Sequence, residues 1–265
     1  MSASIGYLGP QGSYSHTAAL SFGDSVRPYA SFFALVNALV SGEVQAVVLP
    51  VENSLNGDVA QNLDLLQETS GIIATGETFV KIEHRLITLE GAPLDGIKTI
   101  YSHPQALGQC AKFLSERFPR ARQIPAPSTS AAALCIKDAT QAGIAGAQFS
   151  APGLWVSPYV ISDESLNYTQ FLYVVKGCPD ASLAGKKIFL SFVCEHRPGA
   201  LIAALSVFAS CGVNLTKIES RPIKQAVGEY RFFIEAEADF SRPETQTMLA
   251  SLGNICRSIK ILGVY

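Results

Sequence analysis

A chain of 265 residues exceeds the usual single-core size of roughly 100 to 200 residues, and 48% hydrophobic with 16% charged residues is the composition of a compact globular protein. Twenty basic against 22 acidic residues give a net charge of -2, which leaves no electrostatic footprint for nucleic acid or an anionic membrane, so small molecules and proteins are the partner classes left. Six cysteines without a CxxC pair read as reduced thiols, and the chain has neither an apolar span of membrane-crossing length nor a basic-then-apolar leader, so a cytoplasmic protein is expected.

Short apolar strands alternate with helical patterns from the start: SIGYLG, SYSHTAALSF, FFALVNALVSG and VQAVVLPVE. Alternation of this kind predicts an α/β fold with ligands at the carboxyl ends of strands. YLGPQGSYSHTAA runs a strand through Pro10 and Gly12 into a helix capped by Ser13, whose first amides suit a carboxylate or phosphate, although an ordinary capped turn has the same signature. LPVENSLNGDV places Glu52, Asn53 and Ser54 just beyond a buried run, either as a polar loop or to orient a ligand.

The rhythm repeats after Ile82, with HRLITL and KTIYS as strands, PQALGQCAKFLSERF as a helix, and STSAAALCIKD then AGIAGA as helix and strand. His103 stands at a strand-to-helix junction with Pro104 at the helix start, a place where a histidine is as readily structural as functional. Ser128 and Thr129 sit at another helix N-terminus, and three such termini from two lobes imply a cleft for a small anion. Further on, Asn167, Tyr168, Thr169 and Gln170 crowd four polar side chains before the apolar run from Phe171 to Val175, as a strand entrance or as a cleft wall.

KGCPDASLAGKK, residues 176 to 187, breaks the composition and reads as a linker. Beyond it KIFLSFVCEH, PGALIAALSVFASCG, VNLTKIESRP, GEYRFFIEAEADF, PETQTMLASLGNIC and SIKILGVY follow the order βαββαβ, a ferredoxin-like unit suited to regulation or oligomerisation. The four histidines lack metal-ligand spacing, and GxGxxG, GxxxxGK[ST] and GxSxG are absent, so no metal or cofactor is expected. From the residues alone the chain is a two-lobed protein for a small anion with a regulatory unit attached.

GPQGSYS, PVENSLNG, SHPQALGQC, STSAAA, NYTQF, RPGAL and KIESRP occur in the order found in monofunctional prephenate dehydratases, which the chain resembles over essentially its whole length. The resemblance implies a catalytic domain over residues 1–180, built like a type II periplasmic binding protein. Lobe one would take about 1–80 and 165–180 and lobe two about 81–164, with an ACT domain over 186–265. It implies conversion of prephenate to phenylpyruvate, water and carbon dioxide without a cofactor, feedback by L-phenylalanine, and a homodimer or homotetramer. Thr169 would be the catalytic hydroxyl. Ser13, Glu52, Asn53, Ser54, His103, Ser128, Thr129, Gln170 and Phe171 would bind substrate, and Arg197, Gly199, Ala200, Leu201, Glu219, Ser220, Arg221 and Pro222 the effector. One departure stands out: Gln170 replaces the arginine of the family's Thr-Arg-Phe pattern, removing a charge and a bidentate fork. It keeps open arogenate dehydratase or a non-aromatising prephenate decarboxylase, and a non-catalytic amino-acid sensor shares the architecture.

Overall fold

The computed structural model describes residues 4–179, 185–223, 226 and 228–265; part of the expected linker, residues 180–184, lies outside the described residues. The first lobe begins with β1 (Ile5–Leu8), α1 (Tyr14–Leu20), β2 (Val26–Tyr29), α2 (Phe32–Ser41), β3 (Ala46–Asn53), β4 (Gly57–Asp58), α3 (Ala60–Glu68) and β5 (Ile72–Lys81). The second holds β6 (His84–Leu89), β7 (Thr99–Ser102), α4 (Pro104–Gln109), α5 (Ala111–Arg117), β8 (Arg122–Pro125), α6 (Thr129–Ala133), β9 (Gln141–Gly146) and β10 (Leu154–Val160). β11 (Tyr168–Lys176) returns to the first lobe. The last unit is β12 (Ile188–Cys194), α7 (Ala200–Ser210), β13 (Asn214–Pro222), β14 (Tyr230–Glu237), α8 (Pro243–Ile255) and β15 (Cys256–Val264).

Lobe two is a five-stranded sheet in the order β10-β6-β9-β7-β8. The first lobe and the C-terminal unit share one ten-stranded sheet, β13-β14-β12-β15-β5-β11-β3-β1-β2 with β4 attached to β3. The βαββαβ order is therefore realised as expected, but its edge strand β15 continues into the first lobe through parallel pairing with β5, Gly263 opposite Ala74. Glycine is required there, because a Cβ on Gly263 would stand 2.9 Å from the Cβ of Ala74.

β3 is buried on both faces because it lies between β1 and β11 with helices on either side. Val47, Leu49 and Val51 pack with α2, α3 and Leu172 and Val174 of β11, in a core that also takes Phe189, Phe233 and Leu262 from the C-terminal unit. Val48 and Phe171 face the other way, toward α1 and Tyr7. The helix expected over residues 104–118 breaks in two at Cys110, where the backbone leaves the helical region. The helix expected over residues 128–138 ends at Ala133. It packs so closely on β9 that a Cβ at Gly143 would meet the Ala133 Cα at 3.1 Å.

Candidate active site

Two chain crossings, at residues 82–83 and 161–167, join the lobes, and the amide of Ile82 donates to the carbonyl of Asn167 at 2.7 Å between them. Above these crossings lies a cleft lined from lobe one by Ser13, Tyr14, Asn53 and Thr169 and from lobe two by His84, His103, Gln105, Gln109, Ser128 and Thr129.

Each lobe delivers capped helix starts to it. Ser13 Oγ accepts from the amide of His16 at 3.2 Å and donates to the carbonyl of Leu8. Ser128 Oγ accepts from Ala131 at 3.0 Å, and His103 Nδ1 accepts from Gln105 at 3.3 Å. All three helices are shorter than two full turns, so their attraction for an anion comes from individual N–H and O–H groups of the first turn rather than from a long macrodipole.

The base of the cleft is a hydrogen-bonded chain. Asn53 Nδ2 donates to Thr169 Oγ1 at 3.0 Å and to Asn167 Oδ1 at 2.7 Å. Asn167 Nδ2 donates to Gln109 Oε1 at 3.1 Å, and His84 Nε2 lies 2.7 Å from the same oxygen. An amide oxygen can only accept, so Nε2 carries the proton and His84 is in that tautomer. Burial lowers the His84 pKa, favouring the neutral ring. Tyr14 donates to the carbonyl of Glu83, and burial holds its hydroxyl protonated far above the normal range. Gln109 lines the cleft, and its Nε2 is buried without a hydrogen-bond partner among the described residues.

Tyr14, His84, Gln105 and Gln109 were not singled out from the sequence. Gln105 and Gln109 stand one helical turn apart after Pro104, so periodicity carried that signal. Tyr14 and His84 carried none, since one sits inside a helix start and the other inside an apolar strand.

Four residues expected in the cleft lie elsewhere. β3 and β11 pair Thr169 with Asn53 and Gln170 with Glu52, but Phe171 with Pro50, so Val51 is an extra residue in β3. This bulge keeps Glu52 on the same face as Val51 and returns Asn53 to the cleft face; strict alternation from Val48 would have sent Glu52 there instead. Glu52 therefore faces the C-terminal unit, with its carboxylate 2.5 Å from Lys217 Nζ. Gln170, opposite it, donates to Glu77 at 2.8 Å and to Glu235 at 3.0 Å. Ser54 ties strand ends together, accepting from the amide of Tyr168 at 3.0 Å. Phe171 is core beneath α1.

In the C-terminal unit Arg197, Ala200 and Leu201 line a cavity of about 290 Å³ with Tyr230 and Phe232, and Gly199 begins α7 with a left-handed φ of 79°. Glu219 and Arg221 do not reach it. They alternate with Ser220 and Pro222 on β13 and point to lobe one, Arg221 making two 3.0 Å bonds to Asp64. Burial and then the facing Asp58 carboxylate raise the Glu219 pKa.

Residues 5–178 match the prephenate dehydratase family and residues 188–254 the ACT domain family. A bifunctional chorismate mutase/prephenate dehydratase of Neisseria gonorrhoeae is 35% identical over 98% of this chain and 74% of its own. Among solved structures, prephenate dehydratase of Arthrobacter aurescens in complex with L-Phe is 31% identical with a TM-score of 0.88, covering 99% of this chain and 89% of its own. GqqA, described as a novel type of quorum quenching acylase, is 27% identical with a TM-score of 0.87, covering 99% of this chain and 97% of its own. With a two-lobed cleft and a ferredoxin-like unit in the matching order, the chain belongs to the prephenate dehydratase family and carries its ACT domain.

Proposed function

We propose that the cleft converts prephenate to phenylpyruvate, with Thr169 as the catalytic hydroxyl and Asn53, Ser13, His103, Gln109, Ser128 and Thr129 as binding groups. In that reaction the ring carboxylate leaves as carbon dioxide, its bonding pair enters the ring, and the ring hydroxyl departs with one added proton as water. Aromatisation drives it, so the site has to hold a dianion and assist one leaving group. The observation that carries the reading is the Asn53 to Thr169 hydrogen bond. Because Thr169 Oγ1 accepts from Asn53, its own proton is free to be donated to the departing hydroxyl. Capped turns from both lobes supply donors for the two carboxylates without a full positive charge in the cleft.

An acylase mechanism finds less support. Neither Ser13, which caps α1, nor Ser128, which caps α6, has a hydrogen bond to a histidine ring among the described residues, and a serine nucleophile needs a base within reach. The Asn53 and Thr169 pair likewise argues against a sensor or a non-aromatising decarboxylase, which do not need a donor to a leaving hydroxyl.

The ACT cavity is read as the L-phenylalanine site. β13 is the edge of the ten-stranded sheet, with Ile218 49% exposed on it. Pairing of that edge with a second copy, in a homodimer or homotetramer, would bring Ser220 and Pro222 toward the partner's cavity. A cytoplasmic setting fits six free thiols, and no helix among the described residues is long and apolar enough to cross a membrane.

Mixing the protein with prephenate and following phenylpyruvate as its enolate in alkali tests the assignment. Thr169→Val should lower kcat by about a hundredfold or more while L-phenylalanine binding stays intact. Prephenate consumed without phenylpyruvate means decarboxylation without aromatisation, and turnover of arogenate alone reassigns the substrate.

A further inference from the structure

The residue that departs from the family pattern lies where the regulatory and catalytic parts meet. Gln170 is 6% exposed, and its amide nitrogen donates to Glu77 of β5 and to Glu235 of β14. Glu235 is a junction for the whole ACT sheet. Its carboxylate accepts from Thr216 of β13 at 2.6 Å and from Tyr265 beyond β15 at 2.7 Å, and pairs with Lys187 ahead of β12 at 3.1 Å. β14 also carries Tyr230 and Phe232 into the effector cavity, so one strand bears both that cavity's wall and the carboxylate that holds Gln170.

On the catalytic side the connection is shorter. Gln170 and Glu52 form the register pair next to Thr169 and Asn53, and the Val51 bulge turns one pair to the seam and the other to the cleft. Beside Gln170 the ladder between β3 and β11 is interrupted by that extra residue, while the ladder to β5 runs in register from Tyr168 to Tyr173, so backbone pairing is weakened at Thr169 on the β3 side alone. What fixes it from the seam side is polar: Gln170 to Glu77 and Glu235, and Glu52 to Lys217, which also contacts Asp58.

We propose that Gln170 is a positioning residue, held by Glu235 of the ACT domain, that sets the Thr169 hydroxyl in the cleft and makes turnover respond to the state of the regulatory domain. This rests on Thr169 acting on substrate as read above. Gln170 takes no part in binding; it transmits through β11, and a differential grip on Glu235 in two states of the ACT domain is what an effector would need in order to shift turnover.

The test uses the full chain, comparing wild type, Gln170→Leu, which removes both hydrogen bonds at similar volume, and Gln170→Arg, which restores N–H donors toward the same carboxylates. Steady-state kinetics with prephenate are measured with and without L-phenylalanine, and effector binding is measured separately by calorimetry. Gln170→Leu should lose about tenfold to a hundredfold in kcat, with KM within about twofold, as expected for misplacement of a catalytic group. Its rate should also lose most of the response to L-phenylalanine while calorimetry still shows L-phenylalanine bound, and Gln170→Arg should restore both kcat and the response. A Gln170→Leu enzyme with wild-type kcat and wild-type response overturns the proposal, as does a rise in KM alone, which would place Gln170 on the substrate. Should Gln170→Leu fail to fold, Thr216→Val and Tyr265→Phe, which loosen Glu235 from the ACT side, must weaken the response; an unchanged response in both overturns it. An inactive wild type overturns the underlying reading and this inference with it, and is seen before any variant is made.

Discussion

The Asn53 side chain makes six hydrogen-bond contacts to five residues. Its Nδ2 serves Asn167, the Tyr168 carbonyl and Thr169, while its Oδ1 accepts from the amides of Leu55 and Asn56 and from the Asn56 side chain. Asn53→Asp keeps the shape and removes the donors, so kcat for phenylpyruvate formation should fall by about a hundredfold, the cost of losing one preorganised donor. His84 gives a pH signature. Its native pKa lies below the unfolded one, so the unfolded chain takes up the proton first and stability falls as pH drops from about 6.5. Denaturation midpoints between neutral and mildly acidic pH should show that slope, and His84→Gln should flatten it. Ser13, Asn53, Ser128 and Thr169 were legible in the sequence because caps and loop amides announce themselves by type and neighbour. Glu52 and Gln170 were not, because the face a strand residue occupies depends on a one-residue bulge that composition does not mark.

At the scale of elements, α3 shows how the parts are joined. Lys260 of β15 donates to the carbonyls of Leu66, Gln67 and Thr69 at 2.7 to 2.8 Å, closing the end of that helix from the regulatory side. Lys260→Met keeps the stem and loses the three bonds, and should cost about 2 kcal/mol in chemical denaturation. β3, α2, α7, β13 and α8 followed from periodicity and from turn residues at their ends. β5 was not picked out, although it carries the joint between the sheets: GETF interrupts its apolar run, and only pairing with β11 and β15 makes it one strand. The division of the 104–118 helix at Cys110 was equally silent, since the sequence is helix-favouring throughout.

For the whole molecule, the shared sheet means that the ACT domain completes a core it does not own. Phe189, Phe233 and Leu262 pack with Val47, Leu49 and Leu172, so a chain ending after residue 180 exposes that apolar surface. Such a truncated protein should aggregate or unfold at markedly lower denaturant, and the full chain should unfold its first lobe and ACT domain in one transition. The two-lobe rhythm and the βαββαβ order were readable because each is a local pattern repeated along the chain. Their fusion was not, because a parallel pairing between Gly263 and Ala74 joins residues 189 positions apart. The two crossings under the cleft carry a further consequence, for how the two ends of a ligand are met. Asn53, Asn167, Gln109 and His84 are linked to one another by hydrogen bonds at these crossings, whereas the turns at Ser13 and Ser128 belong to opposite lobes. One end of a ligand would thus meet a base cross-linked between the lobes, and the other two rims that belong to separate lobes.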